Sequence, residues 1–170
     1  MGPSRARWRA SRPGQADQVE SERHHQARPP LLVRRADSAA EQQVATLLRD
    51  VPVDPGQVAE LVRQRGVLVL SDVTLPPTAP PVAAAAFLID PPARSADLIG
   101  VGVAKSWRRK GVGRRLLTSA LTVLRAAGVD RVHAWAHPAS GGASLLVSAG
   151  FLADDYTADS DGRIRFLLLL

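Results

Sequence analysis

Residues 106–117 read SWRRKGVGRRLL. Arg108, Arg109, Lys110, Arg114 and Arg115 crowd around Gly111 and Gly113, and two leucines close the stretch. The first turn of a helix exposes N–H groups that lack intrahelical acceptors, and the macrodipole adds partial positive charge there. If this stretch opens a helix, and its glycines let the backbone come close, the amides from Arg109 to Arg114 can wrap an anion. A diphosphate fits that description. The stretch is not a Walker A loop, because G-x-x-x-x-G-K-[ST] is absent, and it is not G-x-G-x-x-G with its distant acidic residue. The local pattern is R-x-x-G-x-G on Arg108, Gly111 and Gly113. The bland alternative is a basic surface helix start that touches nucleic acid. Against it, the cations sit in a tight turn, and Trp107 is the only aromatic beside them, so stacking platforms are lacking.

Groups able to move a proton are few. Histidine is the side chain best poised for proton transfer near neutral pH. His133 and His137 fall on the segment RVHAWAH, where alternation along a strand puts positions 133, 135 and 137 on one face with Trp135. Each can equally be a packed or loop histidine. Tyr156 is the only tyrosine and a second candidate acid; packing is its alternative role. Asp154 and Asp155 read as a solvated strand end. There is no cysteine, which excludes disulfides, thiolate metal sites and a cysteine nucleophile. His24-His25 has no further ligands nearby, and no metal site is expected.

The elements that must position these groups follow from pattern and punctuation. LLVRR at 31–35 reads as a strand. A helix follows, with Ser38 and Glu41 spaced as a capping box and Val44, Leu47 and Leu48 on one face. The next helix has Asp54 as cap, Pro55 in its first turn and Gly66 as its stop. Residues 67–72 read as a strand. The four prolines within 73–81 exclude regular structure there. Segment 82–90 is alanine-rich, short and proline-bounded, and reads as a strand. Segment 96–104 is a strand carrying Gly100 and Gly102, a sign of a bulge or a close backbone approach. The long helix runs from about 111 to 127, with Leu116, Leu117, Ala120, Leu121 and Leu124 as its apolar stripe and Gly128 at its end. A strand at 131–136, a short helix at 140–150 and two strands joined across Asp159–Gly162 complete the order. Hairpin links and crossover links together predict an α/β fold with a mixed sheet.

The chain has 170 residues, 45% of them hydrophobic, enough for one domain and some excess. Residues 1–30 have almost no aliphatic side chains and no periodicity, so they read as a disordered basic tail before a domain at 31–170. The net charge of +6 comes almost wholly from arginine, and about half of it lies in that tail. Such charge suits polyanions, but arginine and alanine abundance also reflects a GC-rich coding bias, so nucleic-acid binding is not expected from charge alone. No run of about eighteen apolar residues exists, so no membrane span is expected. The N-terminus lacks an apolar h-region, and a cytoplasmic, bacterial protein is the expectation.

Residues 31–170 resemble the GCN5-related N-acetyltransferases. The resemblance is strongest in LIGVGVAKSWRRKGVGRRLLTSALTVLRAAGVDRV, which looks like that family's acetyl-CoA segment, and in LLVSAGF, similar to the end of its penultimate helix. It implies a splayed sheet of six to seven strands with about four helices, opening between 96–104 and 131–136. It implies acetyl-CoA as co-substrate, with the backbone of Val101, Gly102 and Val103 pairing the pantetheine arm. Arg108, Arg109, Lys110, Gly111, Val112, Gly113 and Arg114 would hold the pyrophosphate. The 73–81 loop and the first two helices would border an acceptor amine, on a small molecule or a protein. Two positions depart from the family's pattern. Leu146 stands where a tyrosine often protonates the CoA thiolate, and HPASGGA replaces the usual asparagine region. AWAHPASGGASLLVSAGF also resembles the amino-terminal half of mycothiol synthase. The reading is therefore an N-acetyltransferase, monomeric or homodimeric, with a degenerate acyl-CoA-binding regulator as its alternative.

Overall fold

The structure, a computed structural model, describes residues 30–51, 53–155 and 158–170. Nearly all of the expected tail, including His24-His25, and Tyr156 lie outside the described residues. Seven strands form one sheet: β1 (Leu31–Arg35), β2 (Val67–Asp72), β3 (Ala83–Asp90), β4 (Ser95–Val103), β5 (Arg131–Ala136), β6 (Leu152–Asp155) and β7 (Ile164–Leu169). Their spatial order is β1-β2-β3-β4-β5-β7-β6. Only β4 and β5 pair in parallel; every other neighbouring pair is antiparallel. The mixed α/β sheet expected from the sequence is thus the sheet observed. A parallel pair needs a crossover, and the long helix supplies it.

Among the described residues the four α-helices are α1 (Glu41–Leu48), α2 (Pro55–Arg63), α3 (Val112–Ala126) and α4 (Gly141–Ser148). On one face of the sheet, the leucine stripe of α3 and Ala143 and Leu146 of α4 pack on Leu68, Ala85, Phe87, Val132 and Ala134. On the other, Val44 and Leu48 of α1 and Val58 and Leu61 of α2 pack on Val67, Val69, Ala84 and Ala86. Helices on both faces bury β2 and the first half of β3 from two sides. This explains their unbroken apolar runs, including the alanine-rich one. The alanines of β3 let the two helical layers approach closely.

Local signals mostly agree with the sequence reading. Asp54 caps α2, its carboxylate accepting from the Gln57 amide at 2.8 Å, and Pro55 opens the helix. Gly128 ends the α3 turn at φ 88°. Two expectations are corrected. Asp37, not Ser38, is the side-chain cap ahead of α1: it accepts from the Ala40 amide at 3.1 Å, and residues Ser38–Ala40 form a 3-10 turn. Glycine at 66 is needed for space rather than to stop α2. Arg65 takes the left-handed position at φ 59°, while a Cβ on Gly66 would lie 2.1 Å from the Phe87 carbonyl oxygen. The Phe87 amide donates to the Gly66 carbonyl at 2.8 Å, so the two backbones are locked together. Gly66→Ala forces them apart. We expect a loss of about 2–3 kcal/mol, of the size seen on overpacking a core, measured by urea unfolding.

Candidate functional site

The site begins with one residue too many in β4. Along β3, Ala86 pairs with Gly100 but Phe87 pairs with Leu98, which leaves Ile99 as an extra residue, a β-bulge. A bulge bends its strand and switches the faces on which later side chains lie. Before it, Ala96 and Leu98 face α3; after it, Val101 and Val103 do, and Ile99 turns to the opposite core. The parallel pairing of β4 with β5 stops at the same point, since Leu98 with Ala134 is the last paired couple. From Ile99 onward β4 has no paired strand on its β5 side. A cleft of about 730 Å³ fills the splay, walled by Leu98–Val101 on one strand and Ala134–Ala136 on the other, with Leu145 and Leu146 among its lining.

The two strand glycines lie beside the bulge and, as expected, where another segment comes close to the strand. A Cβ on Gly102 would lie 2.1 Å from the Leu47 carbonyl oxygen, and one on Gly100 would strike the Val51 side chain at 2.4 Å. The missing side chains therefore make room for the end of α1 on the far face. This leaves the strand's unpaired edge exposed to the cleft and the segment after α1 close against it.

The glycine-arginine loop follows β4 through a 3-10 turn, Lys105–Trp107, and ends at Gly111, the N-cap of α3. No side chain caps α3, so its first N–H groups keep their donor capacity. Arg109 at φ 63° and Gly111 at φ 75° curl the loop backbone, the kind of curvature that turns amides inward around an anion. Nothing lies within 4 Å of the position a Gly111 Cβ would occupy, so an open cradle precedes the helix. Gly113 stacks against Val103 and Leu145, which brings β4, α3 and α4 together beside the cradle.

The cations of the stretch divide into two sets. Arg108 donates from Nε to the Val103 carbonyl at 2.9 Å and reaches Asp50 at 3.5 Å. Arg115 donates to the Leu31 carbonyl at 2.7 Å. These two hold the loop to the sheet. The Lys110 ammonium sits 5.7 Å from the Trp107 ring centroid, a cation–π contact.

Of the candidate proton carriers, His137 lines the cleft and His133 does not. β5 ends at Ala136, so His137 lies one residue beyond the strand rather than on its alternating face. Its Nδ1 is 3.2 Å from the Gly162 carbonyl oxygen. A carbonyl can only accept, so in this contact Nδ1 is the donor, and in the neutral ring the Nε2 lone pair is the one available. The turn that presents Gly162 is itself clamped: Asp159 accepts from the Arg163 amide and guanidinium, both at 2.9 Å, and Asp161 pairs Arg163 at 3.0 Å. The Arg163 amide bond in particular holds the Asp159 carboxyl below its usual range. Asp161 and Arg163 line the cleft with His137, and Asp50 and Gln57 line it from the helix side. The sequence reading missed these four. Asp159–Arg163 reads locally as a turn, and nothing local links Asp50 or Gln57 to strands about forty or more residues further along the chain. The 73–81 loop, expected on the acceptor side, lines none of the cleft; it connects β2 to β3. Leu146 is buried at the cleft floor, so no proton donor stands there. Among the described residues, no cluster of three His, Asp or Glu side chains could hold a metal. No helix among them is long and apolar enough to cross a membrane.

Residues 57–151, from α2 through β4, the loop and α4, match the sequence pattern of the Acetyltransferase (GNAT) family. The chain belongs to the GNAT acetyltransferases. Solved structures agree on the fold. An IAA acetyltransferase from Bacillus cereus ATCC 14579 is 19% identical, with 83% of this chain and 100% of that one covered at a TM-score of 0.62. The ribosomal-protein-S18-alanine N-acetyltransferase of Escherichia coli is 18% identical, with 82% and 94% covered at 0.61. Rv2747 from Mycobacterium tuberculosis, solved with CoA and NLQ, is 16% identical, with 82% and 99% covered at 0.65. No curated protein sequence matches the chain. In this GNAT domain the hairpin turn is the wall that fixes His137. Asp159→Ala removes its clamp. We expect faster amide hydrogen exchange across 159–163, with exchange in β2 unchanged, read by mass spectrometry.

Proposed function

We propose that residues 31–170 form an acetyl-CoA-dependent N-acetyltransferase domain that acetylates a primary amine of a small molecule or a protein. The observation that carries the reading is the continuity of the unpaired β4 edge from Ile99 with the curled, uncapped start of α3. An extended, amide-bearing arm suits the first, and a diphosphate suits the second. In this reading the backbone of Val101, Gly102 and Val103 pairs the pantetheine arm. The amides from Arg109 to Arg114 receive the pyrophosphate, with Arg109, Lys110 and Arg114 supplying charge. Arg108 contributes by fixing the loop to Val103.

Acetyl-CoA supplies an activated acyl carbon, and the amine nitrogen must reach it in neutral form. The chain therefore needs a route for the amine proton and a source of one for the departing thiolate. His137 suits the first task, because its Nε2 lone pair is free and the residue borders the cleft. Leu146 supplies no proton, so the thiolate takes its proton from water or from protonated His137. The buried leucine also favours a second reading, a domain that binds acyl-CoA without turnover.

A ligand that binds only the native state raises its melting temperature by mass action. CoA is expected to do so here, and Gly111→Asp, which puts a carboxylate into the cradle, is expected to abolish the shift. Unchanged CoA affinity in Gly111→Asp by calorimetry contradicts the reading. With an acceptor found in an amine screen, His137→Gln is expected to lower kcat about 10²–10⁴-fold while CoA affinity stays within error. A kcat that does not move removes His137 from the chemistry. CoA binding without acetylation of any amine favours the second reading.

A further inference from the structure

A second cleft, of about 680 Å³, lies at the other end of α3, against Ala127–Val129. Fifteen residues of helix separate it from the glycine-arginine loop, about 22 Å at 1.5 Å per residue. Arg35 from the end of β1, Arg65 after α2 and Arg94 from the β3–β4 turn line it. Leu88 and Ile89 give it an apolar side, and Leu88 is 46% exposed. Its volume is that of a small-molecule site.

Two of these arginines stand where the backbone disfavours them. Arg65 has φ 59° and Arg94 has φ 51°. Glycine adopts this region freely, whereas a residue with a side chain is strained in it. Apart from Arg109 of the anion-wrapping loop, they are the only non-glycine residues with positive φ among the described residues. Residues in such positions cluster at ligand-binding sites.

The donor count leaves capacity for a ligand. Arg94 spends Nε on the Gly128 carbonyl at 3.2 Å and Nη2 on Asp130 at 2.8 Å. It thereby covers a carbonyl just past the end of α3. Arg35 donates from Nη1 to the Arg65 carbonyl. Each guanidinium has five N–H donors, so donors remain on both. Arg65 makes no side-chain hydrogen bond or ion pair to any described residue. Three guanidiniums and no carboxylate line the cleft, and only Arg94 is ion-paired, to Asp130, so the surplus is positive. Planar guanidinium forks match oxyanions with two oxygens side by side.

We propose that this cleft binds a small organic anion with an oxyanion head on an apolar body, with Arg65 gripping the head, Arg35 and Arg94 flanking it, and Leu88 and Ile89 receiving the body. The head is a carboxylate or a phosphate monoester, and the test separates them. Calorimetric titration of the full chain with 1-naphthoate and with 1-naphthyl phosphate is expected to show one equivalent of at least one probe bound. The tighter probe identifies the head. Arg65→Gly relieves the backbone strain, so its melting temperature is expected to equal or exceed that of the wild type while affinity for the probe falls at least tenfold. Arg65→Asn, which also tolerates this backbone, is expected to lose affinity in the same way. Absence of binding by the wild type for both probes overturns the proposal. So does wild-type affinity in the two variants, which would place the probe elsewhere, such as the glycine-arginine loop.

Discussion

One surplus residue in β4 sets the rest of the site. With Ile99 bulged out, β4 bends from β5 after four paired couples, and a continuous sheet becomes a split one. The split leaves strand edges without partners in the middle of the sheet, the β4 edge from Ile99 and the β5 edge from Trp135. Unpaired backbone groups in a cleft seek a partner, and an extended ligand arm can supply one. The same bulge exchanges the faces of β4, so that Val101 and Val103 join the α3 core and Gly100 and Gly102 turn toward α1. Without glycine at both positions the end of α1 could not sit against the strand. Asp50 and Val51 would then lose their place at the cleft.

The second constraint is electrostatic and local. The start of α3 carries unsatisfied N–H groups and no side-chain cap, at the point where β4 delivers the chain. Gly111 keeps the space ahead of it open, and the left-handed turns at Arg109 and Gly111 set the curvature. The arginine count overstates the charge available there. Arg108 and Arg115 are fastened to carbonyls of β4 and β1, where they act as braces for the loop. Loop charge and loop geometry are thus separate contributions, and the geometry is the more selective.

Most elements were legible because their signals are local. Asp54-Pro55, the α3 leucine stripe and Gly128 each act within a few residues of their own position. The expectation of a splay between β4 and β5 came from resemblance to the GNAT family, since no local pattern announces which strands part. Errors arose where a distant backbone decides. Gly66 answers to Phe87, a contact invisible to any short window, whereas at Gly102 the close approach was expected but not its partner, Leu47. At the α1 start, two adjacent residues could cap, and the 3-10 turn gave the role to Asp37 over Ser38. The wall built from Asp161 and Arg163 was illegible for the same reason: a turn motif says nothing of the His137 ring it is folded against.

The central claim is that the β4 edge freed by the bulge, together with the loop before α3, receives CoA. Amide hydrogen exchange with and without CoA tests it directly. Exchange is expected to slow in 99–103 and 109–114 on adding CoA, while 67–72 in β2 stays unchanged. Unaltered exchange in 99–103 at saturating CoA would contradict the claim, because the arm would then not pair with the strand that the bulge sets free.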